Sequence, residues 1–173
     1  VFDDMVRRSV AGYDSMILMI GLCARIYGQD NTNYYDLGSS TGAITLSLAL
    51  NNKSKNNQFF AIDNSKEMIR ECKKNLNKKV DNLQAICDDI NQVKIQNAAI
   101  VVLNLTLQFI DVKLRSILIK KIYEGLNPGG ILIISEKVHF DDELTQNHIT
   151  KLHLDFKREN GYSELEIVSS WKA

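Results

Sequence analysis

Four places along the chain combine acidic, small and turn-forming residues in a way that suits a ligand better than a core. They are Asp36-Leu37-Gly38-Ser39-Ser40-Thr41-Gly42, Asp63-Asn64, Asp88-Asp89-Ile90 and Asn104. Gly38 and Gly42 let the backbone turn sharply and come close to a bound molecule. A carboxylate such as Asp63 accepts hydrogen bonds only, so it can bridge the two hydroxyls of a ribose and would repel a phosphate. A dinucleotide site needs G-x-G-x-x-G, but here Ser40 holds the middle glycine position and its side chain hinders close approach of a pyrophosphate to a helix N-terminus. The turn also lacks a P-loop lysine. The chemistry that fits is recognition of an adenosine without a phosphate.

Each of these residues also has a purely structural use. Asp36 can cap its turn and the following helix, and Asp63 can start a helix. Asp88 and Asp89 can be solvated loop charges, Asn104 a turn former and Tyr13 a core aromatic. His139, His148 and His153 show no ligand spacing with cysteine or carboxylate, so they read as ordinary histidines. Lys73, Lys74, Lys78 and Lys79 read as a solvated helix end and not an RNA contact.

The elements around these residues alternate. Apolar residues at helical spacing mark a helix over 16–26. Asn33–Leu37 is a short buried strand ending at Gly38, and 41–50 is a helix. Residues 58–62 form a second apolar strand. Ser65 then caps a helix Lys66–Leu76 whose apolar face is Met68, Ile69, Cys72 and Leu76. Leu83–Cys87 and 98–103 are further strands, and 113–126 carries a strong helical stripe. Asn127-Pro128-Gly129-Gly130 stops that helix, 131–135 is another apolar strand, and 141–158 is a helix. Strands apolar throughout, separated by amphipathic helices, imply a parallel sheet covered on both faces, so the fold class is α/β, doubly wound. Ligands in such sheets bind outside the carboxyl ends of the strands, where all four acidic or small clusters fall.

Composition sets the outer limits. The chain has 173 residues, 45% hydrophobic and 24% charged, with 21 basic and 21 acidic side chains. That length fits one domain able to bury a sizeable core, here divided into N-terminal helices (1–30), a core (31–138) and a helical C-terminal part (139–167). Zero formal net charge argues against a broad nucleic-acid or membrane footprint. No apolar run approaches the roughly 18 residues that span a bilayer, and no leader-like segment opens the chain, so a cytoplasmic location is expected. Cys23, Cys72 and Cys87 form no C-x-x-C pair and match no zinc spacing, so reduced thiols and no metal are expected.

D-x-G-x-x-x-G, an acid after the second strand, an acid after the third and Asn-Pro-Gly-Gly before the fifth together resemble class I S-adenosylmethionine-dependent methyltransferases. A narrower resemblance lies in less generic stretches. Arg8-Ser9-Val10-Ala11-Gly12-Tyr13, Ala61-Ile62-Asp63-Asn64-Ser65, Val102-Leu103-Asn104-Leu105-Thr106-Leu107-Gln108-Phe109, Ser135-Glu136-Lys137 and Asp155-Phe156-Lys157-Arg158-Glu159-Asn160-Gly161-Tyr162-Ser163-Glu164-Leu165-Glu166-Ile167 are similar to the carboxy-S-adenosylmethionine synthase family, from Val1 to Ile167. That resemblance implies a homodimeric enzyme that turns S-adenosylmethionine and prephenate into carboxy-S-adenosylmethionine and phenylpyruvate. The product would serve the oxyacetyl modification of a tRNA wobble uridine by another enzyme. It implies that the acidic sulfonium methyl is deprotonated and captures the carbon dioxide lost as prephenate aromatises. It assigns cofactor contacts to Tyr13, Gly38, Ser39, Ser40, Asp63, Asn64, Asp89, Ile90 and Asn104, and points to no general base. The alternatives on the same fold are an ordinary methyltransferase and a non-catalytic S-adenosylmethionine-binding subunit.

Two departures from the family stand out. Ser39 replaces a common cysteine. After Ile167 the family continues into a run whose arginine pairs with the added carboxylate, whereas this chain reads Val168-Ser169-Ser170-Trp171-Lys172-Ala173. Val1 in place of a methionine suggests that flanking segments are missing. The abrupt change at Ile167 suggests a further segment, bearing the arginine, between Ile167 and Val168, with 168–173 as a closing strand. An ordinary link there would instead favour the plain methyltransferase.

Overall fold

The computed structural model describes residues 2–170. Its centre is a five-stranded, all-parallel sheet in the order β3-β2-β1-β4-β5, built from β1 (Asn33–Leu37), β2 (Gln58–Asp63), β3 (Leu83–Cys87), β4 (Ala98–Asn104) and β5 (Leu126–Ser135). Chain order runs outward from β1 through β2 to β3, then returns to the other side of β1 for β4. The reversal opens a crevice at the carboxyl ends of β1 and β4. The doubly wound α/β reading is therefore correct.

The strands form where uninterrupted apolar runs can be buried on both faces. Ile100, Val101, Val102 and Leu103 of β4 are fully buried, and Val101 and Leu103, on one face, pack with Tyr35, Leu37 and Ile62 against Leu118 and Ile122 of α5 (Val112–Gly125). Tyr35 and Phe60 stack with ring centroids 4.7 Å apart. The intervening helices α3 (Ala43–Asn51) and α4 (Lys66–Leu76) follow β1 and β2. As expected, Ser65 caps α4, its hydroxyl accepting the Met68 N–H at 3.3 Å. The Asn-Pro-Gly-Gly segment is an excursion within β5: Leu126 pairs with Ala98 and Ile131 with Ile100. A Cβ on Gly130 would stand 2.8 Å from the Ala98 carbonyl, so only glycine fits that crossing.

Packing divides the chain into two compact units, residues 17–137 and residues 1–16 with 138–173. The first holds the whole sheet. The second brings together α1 (Phe2–Ser9), the first turn of α2 (Tyr13–Tyr27), α6 (Glu143–Glu159) and α7 (Glu164–Ser170). Within it, Arg8 lies over the Tyr162 ring at 4.8 Å, the Tyr162 hydroxyl donates to the Met5 carbonyl at 3.0 Å, and His153 Nε2 meets the Ser9 carbonyl at 2.9 Å.

The closing strand expected over 168–173 is corrected by this unit. α7 runs through Ile167 and Val168 to Ser170 as one helix, and 171–173 lie outside the described residues. A capping box starts the helix: the Ser163 N–H donates to the Glu166 carboxylate at 2.8 Å while the Glu166 N–H donates to the Ser163 hydroxyl at 3.3 Å.

Candidate functional site

Gly38, Ser39, Ser40, Asp63, Asn64, Asp89, Ile90 and Asn104 all lie at or just after the carboxyl ends of β1–β4 in the sheet unit. Sheet register keeps them in order, because Leu37 pairs with both Ile62 and Leu103. Tyr13 belongs to the helical unit, where it is buried and lines an open cleft with Arg7, Val10 and Phe156.

The loop after β1 is shaped by its glycines and by two acids. Gly38 sits at φ +84°, and a Cβ there would drive into the Thr106 side chain. Gly42, at φ +91°, is the N-cap position of α3 but has no side chain to cap it. Asp36 does that work from the strand: its Oδ2 accepts the Thr45 N–H at 3.0 Å and the Thr45 hydroxyl at 2.6 Å. Burial pushes the Asp36 carboxyl up to about 6, against the two Thr45 hydrogen bonds, with the nearby Asp63 charge adding to the rise. Of its two open roles, Asp36 takes the structural one.

Asp63 ties two loops together. Its Oδ2 accepts the Ser40 N–H and its Oδ1 the Ser65 N–H, both at 2.9 Å. Ser40 itself lies in the left-handed region at φ +47°, so the tether holds a conformation that serine rarely adopts. Each oxygen keeps a second lone pair, which fits the carboxylate for a pair of ligand hydroxyls. Asn64 is exposed, and its carbonyl receives the Cys87 thiol at 3.6 Å.

After β3, Asp89 Oδ1 accepts the Asn91 backbone and side-chain N–H groups at 2.8 and 2.9 Å and shapes the turn that buries Ile90. The underside of this loop is held by Lys121 on α5. Its ammonium donates to the carbonyls of Ile90, Asn91 and Val93 at 2.8, 2.9 and 2.9 Å. Burial lowers the Lys121 value, with Asp89 opposing.

The β4–β5 end is different. Asn104 Oδ1 is buried with no partner among the described residues, as are Ser39 Oγ and Oε2 of Glu136, the residue after β5. Glu136 Oε1 accepts the Thr106 N–H at 2.8 Å and also the Leu107 N–H. Native interiors rarely leave such atoms unsatisfied, and a donor brought by a bound molecule is one way to satisfy them. A nucleoside with free hydroxyls and an amino-acid tail brings hydroxyl and ammonium donors, so the residues present fit S-adenosylmethionine. Reading acids at strand ends found Asp63 and Asp89. Extending it to the fifth strand would have found Glu136, while Lys121 gives no sequence signal because it reaches its loop from a helix.

Residues 29–169 match the family described as "Methyltransferase domain". The carboxy-S-adenosyl-L-methionine synthase of Ruthia magnifica subsp. Calyptogena magnifica is 59% identical over 169 residues, covering 98% of this chain and 71% of that protein. The synthase of Shewanella piezotolerans is 49% identical over 169 residues, covering 96% of this chain and 70% of that protein. Among solved structures, an S-adenosylmethionine-dependent methyltransferase from Clostridium acetobutylicum superposes with a TM-score of 0.60 at 22% identity, covering 82% of this chain and 62% of that one. That likeness carries the fold.

Proposed function

The chain belongs to the carboxy-S-adenosyl-L-methionine synthase family, within the methyltransferase-domain superfamily, and on that premise we propose that prephenate is its second substrate. The reaction is then S-adenosylmethionine plus prephenate to carboxy-S-adenosylmethionine plus phenylpyruvate. Prephenate loses carbon dioxide and water as its ring aromatises, and the carbon dioxide ends on the methyl carbon. The observation that carries this reading is 59% identity maintained over 169 residues. It outweighs the plain methyltransferase reading.

S-adenosylmethionine supplies a sulfonium that makes its methyl hydrogens acidic. The chain's part is to bind, orient and exclude water. Asp63, fixed by Ser40 and Ser65, holds the ribose hydroxyls. Asp89 and the Ile90 backbone meet the adenine edge beside Asn64. Gly38, Ser39 and Ser40 let the loop pass close to the methionine portion, and Asn104 faces the transferring end. The active form is a cytoplasmic homodimer that makes no direct contact with nucleic acid, and its product feeds wobble-uridine modification of tRNA by a separate enzyme.

Incubation with S-adenosylmethionine and prephenate tests the reading. Phenylpyruvate and carboxy-S-adenosylmethionine should appear in equal amounts. S-adenosylhomocysteine instead would identify an ordinary methyltransferase, and no turnover a binding subunit.

A further inference from the structure

We propose that Glu136 is a two-sided residue of the transferring end. One oxygen fixes the loop that carries Asn104, and the other accepts a hydrogen bond from a hydroxyl or ammonium group of the bound small molecules. This rests on the synthase reading for which molecules those are, but the geometry stands on its own.

The loop after β4 needs an anchor. Leu105 sits at φ +55°, a left-handed conformation disfavoured for leucine, which persists only where the surroundings over-determine it. Three contacts from the end of β5 do so. The Ser135 carbonyl accepts the Leu105 N–H at 2.7 Å, and Glu136 Oε1 accepts the N–H groups of both Thr106 and Leu107. Thr106 is in turn the residue that faces Gly38 across the crevice. A single carboxylate oxygen thus holds Thr106 and Leu107, just after Asn104, and with them the wall facing the β1 loop.

The second oxygen has a separate role. A clamp on two adjacent N–H groups needs one acceptor atom, and a glutamine would supply it. Glu136 Oε2 is nevertheless buried without a partner among the described residues, beside a strand whose own terminal Asn104 Oδ1 is likewise unpartnered. Asn104 pairs in register with Ser135, so the two orphaned oxygens stand on adjacent strand ends. Burying an acceptor without a donor is unfavourable, the more so for a charged one. A ligand donor arriving at this end removes that penalty. The strand order places Asp63 and Asp89 on the far side of β1, toward the nucleoside, which leaves the β4–β5 end for the amino-acid portion or the second substrate.

The test uses Glu136→Gln and Glu136→Ala in the full chain. Glu136→Gln keeps an acceptor for the loop but turns the second oxygen into a donor. It should keep the wild-type melting temperature, yet weaken one ligand by roughly ten- to hundredfold, the scale of a lost hydrogen bond to a charged group. Calorimetric titration with S-adenosylmethionine reads the ammonium source directly, without turnover. A raised KM for prephenate with S-adenosylmethionine affinity unchanged reads the hydroxyl source. Glu136→Ala should add a lower melting temperature and faster amide exchange at Thr106 and Leu107. The proposal is overturned if Glu136→Gln leaves both ligands at wild-type affinity, or if it lowers the melting temperature as far as Glu136→Ala does. If wild-type protein binds S-adenosylmethionine but makes no phenylpyruvate, the synthase reading fails while the titration still decides the role of Glu136.

Discussion

The two halves of the strand-end crevice differ in how their carboxylate and amide side chains are satisfied. On the β1–β3 side every acid is engaged by the chain itself: Asp36 by Thr45, Asp63 by Ser40 and Ser65, Asp89 by Asn91. On the β4–β5 side Asn104 Oδ1 and Glu136 Oε2 are buried with no partner among the described residues. The acids of the nucleoside side are preformed, with Ser39 Oγ left as a buried acceptor without a partner among the described residues, so that side can recognise its ligand with little reorganisation. The transferring side is left for ligands to complete, which favours binding both molecules before the site is fully ordered.

The strongest way to break this contrast is at the seam. Gly38→Ala would place a Cβ against Thr106 while forcing alanine into a left-handed φ, so it should destabilise the domain by roughly 2–4 kcal/mol in denaturant unfolding. An unchanged midpoint would mean that the two sides are not pressed together there.

Next comes the pH dependence of Asp36. Its folded value of about 6 lies above the ordinary carboxylate value, so folding favours the protonated form. The resulting stability is fully present below about pH 4 and is lost as pH rises through about 6. At about 1.4 kcal/mol per pH unit between folded and unfolded values, the loss is on the order of 2–3 kcal/mol. Asp36→Asn should flatten the stability curve over that window, and an identical slope in the variant would refute the assignment.

Asp63→Ala removes a ligand acceptor and also strands two backbone donors. Calorimetry should show S-adenosylmethionine binding weaker by about 1.5–3 kcal/mol, together with a lower melting temperature. Asp63→Asn should be milder in both. Smallest of the series, Lys121→Met frees the carbonyls of Ile90, Asn91 and Val93, and should raise the S-adenosylmethionine Kd several-fold, by about 1 kcal/mol. Amide exchange in the Asp89–Val93 turn would report the loosening even if affinity held.

The sequence makes one side of the crevice far more legible than the other. β1, β3 and α4 have the expected bounds, because apolar runs of strand length and the Ser65 cap are local signals. Asp63 was visible for the same reason, as an acid at the end of such a run. What remained hidden depends on long-range geometry. The Lys121 hold on Ile90 crosses 31 residues of sequence, and the Glu136 hold on Thr106 crosses 30. The tail misleads for a different reason. Val168-Ser169-Ser170 has no decided local preference, and the capping box at Ser163-Glu164-Leu165-Glu166 settles it as helix.

The central claim is that the strand-end acids hold a phosphate-free nucleoside bearing a sulfonium, carboxylated on its methyl group. Mass spectrometry of the ligand released when the purified protein is denatured tests this most directly. The synthase assignment predicts S-adenosylmethionine with one hydrogen replaced by a carboxyl group, and a nicotinamide dinucleotide in its place would contradict it.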